Sequence, residues 1–186
     1  MIGYLSGTIL AKNEKEIILN VNGVGYKIAC PLPTLLTCEI NSQKDFLIHT
    51  RVREDAITLY GFKTPTDLEI FEKLLDVSGI GPRSALAMLS VHSPSSIADA
   101  VEKGDSALLS HTPGIGKRSA EKIIIELKGK LSHLQNGEGN ENTNEVRLAL
   151  EALGYTQKEI FETINKLDSK GKSTNVLIKE ALSQLK

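Results

Sequence analysis

Seven consecutive residues, Gly79-Ile80-Gly81-Pro82-Arg83-Ser84-Ala85, return 35 positions later as Gly114-Ile115-Gly116-Lys117-Arg118-Ser119-Ala120, with six of the seven identical. Glycine tolerates positive φ and carries no Cβ, so the backbone at these points can approach a bulky anion closely. Ile80 and Ile115, between the glycines, are placed to anchor each turn in a core. A helix starting just after the second glycine presents unpaired N–H groups to an anion. Arg83 in the first copy, and Lys117 and Arg118 in the second, add charge at that end. Lys122 lies four residues beyond Arg118, on the same helical face, and Lys128 and Lys130 extend the basic stretch. Such a device grips a phosphate backbone and does not read bases. A nucleotide-binding phosphate loop does not fit. Arg118 follows Gly116-Lys117 where Ser or Thr is needed, and His111 stands where the first loop glycine belongs.

The flanking patterns are helical. Leucines precede each copy (Leu74-Leu75, Leu108-Leu109), and helical runs follow (Leu86 to Leu89, Ile123 to Leu127), the second expected to continue through Lys130. Helix, Gly-hydrophobe-Gly turn, helix is the layout of a helix-hairpin-helix, here in tandem. Pro65-Thr66 opens a helix with Leu68, Phe71 and Leu74 at helical spacing, and Pro94 opens another that ends near Gly104. Residues 64–134 therefore read as an all-α tandem hairpin domain.

Residues 1–63 alternate instead. Ile17, Leu19 and Val21 share one face, Asn22-Gly23 marks a hairpin, and Val24, Tyr26 and Ile28 resume the pattern. Phe46, Ile48, Thr50 and Val52 form a further face, followed after Glu54-Asp55 by Ile57 and Leu59. Five short strands, the first at about residues 2–11, can bury a core only by curling into a small barrel of the oligonucleotide-binding (OB-fold) kind. Residues 135–144, QNGEGNENTN, contain no apolar side chain and read as a flexible linker, with a root-mean-square span of roughly 18 Å. Residues 145–186 read as a three-helix unit. Asn144 is the expected first cap, Gly154 ends the first helix, Thr156 and Glu159 form a capping box, and Ser173 or Thr174 caps the last helix. Leu150, Leu153, Tyr155 and Leu182 serve that unit as core or, in part, as an exposed docking surface.

Composition narrows the function further. The 186 residues are 40% apolar and 24% charged, which suits a folded chain. Net charge is −1, so nucleic-acid contact must rest on a local patch. Trp is absent and aromatics make up 4%, which disfavours a base-stacking platform. Cys30 and Cys38 read as neutral thiols in a reducing compartment. His49, His92, His111 and His133 show no metal-ligand spacing, so neither a metal nor a cofactor is expected. Without a secretory or membrane-spanning pattern, a soluble cytoplasmic protein is expected.

Taken together, Met1-Ile2-Gly3, Gly23-Val24-Gly25-Tyr26, Val52-Arg53-Glu54-Asp55-Ala56, Leu59-Tyr60-Gly61-Phe62, the two hairpins and Ala152-Leu153-Gly154-Tyr155 run in one order along the whole chain. In this the sequence resembles the RuvA family of Holliday-junction branch-migration subunits. The resemblance implies an OB-fold barrel, a tandem helix-hairpin-helix domain and a mobile third domain similar to ubiquitin-associated folds. It implies a homotetramer, single or paired, that holds a four-way DNA junction open and flat for recombination and repair. Its third domain would recruit the hexameric motor RuvB, and the resolvase RuvC would act on the same complex. Carried over by position, Gly79, Gly81, Arg83, Gly114, Gly116, Lys117, Arg118 and Lys122 would hold phosphates, and Glu54 and Asp55 would form an acidic pin. Taken alone, Glu54-Asp55 is only a solvated hairpin tip. The competing class is a base-excision glycosylase or nuclease. A glycosylase needs a catalytic Asp in a Gly/Pro-rich segment soon after the hairpin, and none follows until Asp168. The expectation is a non-catalytic DNA-binding subunit.

Overall fold

The structure, a computed structural model, describes residues 1–131, 134, 141–164, 167 and 172–185. Two compact units result, Met1–Gln135 and Asn136–Lys186.

In the first unit, alternation curls five strands into a closed barrel. They are β1 (Tyr4–Lys12), β2 (Glu16–Val21), β3 (Val24–Ala29), β4 (Gln43–Val52) and β5 (Ile57–Phe62), in spatial order β1-β2-β3-β5-β4. Neighbours are antiparallel except β3 and β5, which run parallel, and β1 closes the barrel on β4. The inward residues Leu5, Ile9, Ile17, Leu19, Ile28, Phe46, Ile48 and Leu59 form the barrel core. Gly7 faces the Asn20 backbone so closely that any Cβ would overlap the Asn20 carbonyl, which accounts for glycine in mid-strand. A five-residue helix, α1 (Leu32–Leu36), lies between β3 and β4. Sequence periodicity gives no sign of it. It is held by Leu32 N–H donating to Ser90 Oγ at 3.0 Å and by burial of Leu35. Cys30 and Cys38 flank α1 in the same core, and burial pushes both thiols up from their ordinary range, so they stay protonated.

Five helices follow: α2 (Pro65–Asp76), α3 (Pro82–Val91), α4 (Pro94–Lys103), α5 (Ser106–Ser110) and α6 (Lys117–Leu127). Thr64 caps α2 in a reciprocal box with Asp67, and Gly104 ends α4 at φ 75°. The helix expected through Lys130 stops at Leu127, because Gly129 turns the chain at φ 76° and donates its N–H to Glu102 at 2.7 Å.

Tyr60 and Phe62 of β5 pack with the helices in a second core, distinct from the one inside the barrel. Phe62 of β5 and Phe71 of α2 are fully buried with ring centroids 4.8 Å apart. Tyr60 lies 5.1 Å and His49 5.4 Å from the Phe71 ring. His49 Nδ1 also meets Glu72 Oε1 at 3.0 Å, tying β4 to α2.

The second unit contains α7 (Glu141–Ala152), α8 (Gln157–Ile164) and α9 (Thr174–Gln184) around Val146, Leu150, Ile160, Leu177 and Ala181. Of the expected linker, residues 135–140 lie outside the described residues. Residues 141–144 already belong to α7, which starts ahead of the expected cap Asn144. The Thr156–Glu159 box forms, and its hydrogen bonds hold the Glu159 carboxyl below the usual range. Among the described residues no helix is long and apolar enough to cross a membrane.

Candidate nucleic-acid interface

The two hairpins repeat bond for bond. In the first, the chain leaves α2 through Val77 N–H to Leu74 O (3.2 Å) and Ile80 N–H to Val77 O (3.0 Å), then enters α3 with Ala85 N–H to Gly81 O (3.0 Å). In the second, Thr112 N–H to Leu109 O, Ile115 N–H to Thr112 O and Ala120 N–H to Gly116 O have the same lengths in the same order. Gly79 and Gly114 sit at φ 91° and 84°, the left-handed region that favours glycine. Gly81 and Gly116 are the helix caps in extended conformation, with no side-chain cap bond. A Cβ at either would meet nothing within 4 Å, so the space over each helix start is open to an outside group. Ile80 and Ile115 are buried and root each loop in the helical core.

Charge sits where the loops open. Arg83, Lys117 and Arg118 are exposed. The copies are unequal, because Pro82 is buried and supplies neither N–H nor charge where Lys117 supplies both. Lys122 is half-buried and pairs with Glu126 at 3.8 Å, so part of its charge is already met. Glu126, which sequence reasoning missed, also accepts the Ser78 N–H at 3.4 Å. It thereby links the loop of the first hairpin to the helix of the second. The Glu126–Lys122 spacing shows in the sequence as an ordinary helical pair, whereas the bond to Ser78 spans 48 positions and leaves no trace there.

Glu54 and Asp55 cap the β4–β5 hairpin, exposed, in a turn closed by Arg53 N–H to Ala56 O at 2.9 Å. Among the described residues no three His, Cys, Asp or Glu side chains gather as a metal site requires.

Residues 1–61 match the family described as RuvA N terminal domain, 71–130 the SAM-like helix-hairpin-helix tandem, and 141–186 the RuvA C-terminal domain. A protein of Halalkalibacterium halodurans is 40% identical, with 98% of this chain and 97% of that protein covered. One from Legionella pneumophila strain Corby is 38% identical, and one from Lactobacillus johnsonii 40%, each over 100% of this chain and 98% of its own length. All three are named Holliday junction branch migration complex subunit RuvA. The chain belongs to the RuvA family.

Within the RuvA C-terminal domain, packing separates the residues expected as core or docking surface. Leu150 is core, with no exposed area, because it lies one helical turn from Val146 and both face inward. Tyr155 and Leu182 pack partly buried against the same core. Leu153 is 60% exposed, and Leu148 and Val176, not singled out from the sequence, are exposed as well. An apolar residue on a helix reads the same whether it is core or surface, so only the packing separates them.

The repeat also exposes an imperfection. Thr112 occupies the position of Val77, and its buried hydroxyl has no hydrogen-bond partner among the described residues. Thr112→Val is expected to raise thermal stability by about 1 kcal/mol, since a buried unmet hydroxyl costs about 1–3 kcal/mol. Urea unfolding midpoints of the two proteins provide the check.

Proposed function

We propose that this protein is a non-catalytic subunit that binds four-way DNA junctions, holds them open and flat, and recruits an ATP-driven motor for branch migration. The observation that carries this reading is the duplicated hairpin, two turns with the same backbone bonds and open helix starts, in a chain that matches named junction subunits along its full length. Each opening would take one backbone phosphate. Gly79 and Gly81, or Gly114 and Gly116, give close approach, the starts of α3 and α6 supply N–H groups, and Arg83, Lys117, Arg118 and Lys122 supply charge. Two grips of this kind hold a duplex without regard to sequence.

Four copies around a junction would bring the Glu54 and Asp55 carboxylates of all protomers to its centre. There they repel phosphate, so a continuous duplex laid across the centre is penalised while an open crossover is accepted. The second unit would dock the hexameric motor RuvB through the exposed Leu153, and Leu148 and Val176 are further exposed apolar residues of that unit. The resolvase RuvC would share the complex, in the cytoplasm.

Competition binding of a synthetic four-way junction against linear duplex of the same sequence, with native mass to count copies, tests the reading. Tight junction preference with four or eight copies is expected, and equal affinity for both DNAs would count against it. An abasic-site cleavage assay is expected to show no turnover, and robust cleavage would restore the enzyme class. Glu54→Gln with Asp55→Asn keeps shape and removes charge. The junction-to-duplex affinity ratio should then fall by about ten-fold, equivalent to about 1.4 kcal/mol, through tighter duplex binding. An unchanged ratio would leave the carboxylates as a solvated turn. Leu153→Glu should leave junction binding intact and abolish motor-driven migration, measured as release of a labelled strand pair. Full migration by the variant would move the docking surface elsewhere.

A further inference from the structure

The two helical hairpins share their internal bonds, but the tie between them runs one way. Ser78 of the first loop donates its N–H to Glu126 Oε2 on α6 at 3.4 Å. The repeat would put a counterpart between α3 and the second loop, and both of its ends are missing. Pro113 stands where Ser78 stands and has no N–H, and Val91 stands 35 positions before Glu126 and has no carboxylate. On α6, Arg118, Lys122 and Glu126 follow at successive turns of one face. This row leads from the start of α6, where the second hairpin opens, to the loop of the first. Glu126 Oε1 meets Lys122 Nζ at 3.8 Å, so the carboxylate on the first loop is partly offset. Ile80 anchors that loop after Gly79, and the Glu126 bond anchors it before, at the exposed Ser78.

We propose that Glu126 is a positioning residue of the DNA interface, whose bond to Ser78 holds the first loop against α6 so that both hairpins grip one duplex at once. The inference rests on the phosphate-gripping reading of the hairpins and adds to it what sets their spacing. DNA fixes the distance between its phosphates, so a second grip contributes only where the two loops are held at a matching distance. A loop free to shift by more than about 0.5 Å gives up that match. A carboxylate accepts an N–H more strongly than a neutral oxygen does. It also repels phosphate, and Lys122 beside it limits that repulsion. The second loop, which begins with Pro113, has no N–H at this position to be held.

Three variants of the full chain separate the bond from the charge. Glu126→Gln removes the carboxylate and keeps an oxygen that can accept the Ser78 N–H. Glu126→Ala removes both. Ser78→Pro removes the N–H and leaves every charge in place. Proline suits position 78, because Val77 ahead of it is extended, at φ −76° and ψ 121°, and the second loop already has Pro113 there. Binding to linear duplex is titrated over salt. The slope of log affinity against log salt should be about 0.9 per protomer shallower for Glu126→Ala than for Glu126→Gln, the value of one phosphate contact. Ser78→Pro should be shallower than wild type by the same amount. Equal slopes for the Ala and Gln variants, or a wild-type slope for Ser78→Pro, would overturn the proposal. With Arg83→Gln added, the Ala and Gln variants should no longer differ. A difference that persisted would make Glu126 a support of the fold at large and overturn its role in positioning the first grip. A wild-type slope that does not fall when Lys117 and Arg118 become Gln would instead overturn the phosphate-gripping reading itself.

Discussion

Replacing Lys117 and Arg118 together by Gln is expected to cause the largest loss of DNA binding of any surface change in this protein. Both side chains stand exposed at the start of α6, over a cap position where a Cβ would meet nothing within 4 Å. Each phosphate contact contributes about 0.9 to the slope of log affinity against log salt, so the slope should fall by about 1.8 per protomer. At about 0.1 M salt the same counterion term makes the loss roughly 10–100-fold per protomer, for junction and duplex alike. Binding titrations at several salt concentrations measure both quantities, and an unchanged slope would put the DNA on another surface. Arg83→Gln should do less, because the first hairpin begins with Pro82 and has one charge where the second has two. Gly114→Val adds a chemically distinct control. It forces a β-branched residue to φ 84° and fills the approach to the loop without altering charge.

Phe71→Ala is expected to produce the largest loss of stability. Phe71 is fully buried and touches the rings of Phe62, Tyr60 and His49, which come from two barrel strands. Aromatic-to-Ala changes at such sites cost about 3–5 kcal/mol, a large part of the roughly 5–15 kcal/mol that keeps a domain folded. Thermal unfolding should shift down by about 10 °C or more. A shift of only a few degrees would mean that the barrel and α2 do not depend on this contact. The orientation of the β4–β5 hairpin against the two helical hairpins depends on the same cluster. A variant that remains folded should therefore also discriminate less between junction and duplex.

How well the sequence foretold each part follows from the range of the forces involved. The helical hairpins could be read directly, because their glycines and core-facing isoleucines are required by geometry within seven residues, and the chain states the requirement twice. The barrel could be read because alternation with period two survives in each strand, and Asn22-Gly23 fixes one turn. The helix α1 could not be read. Five residues that include Pro33 carry no period, and what holds them is a hydroxyl 58 positions away on α3. The end of α6 could not be read, because Lys128 and Lys130 suit a helix, whereas the Gly129 N–H is claimed by Glu102, 27 positions earlier. Glu126 and the Phe71 cluster belong to the same category, with partners set by tertiary packing. At the interface itself, residue types gave the positions of Arg83, Lys117 and Arg118. The pairing that tempers Lys122 and the burial of Leu150 emerged only from the packing.

The small core of the second unit bears on how that unit responds to a partner. Among the described residues it rests on Val146, Leu150, Ile160, Leu177 and Ala181, with partly buried neighbours around them. So thin a core makes local opening cheap, and the amides of α7, α8 and α9 should exchange with deuterium sooner than those of α2 or α6. Any protein that binds only the closed form adds RT ln(1 + [L]/Kd) to the cost of opening, about 2.7 kcal/mol at a hundred times Kd. Docking would then register as slowed exchange throughout the three helices, including amides remote from the contact. The unit's modest stability thus makes it a sensitive indicator of its own occupancy.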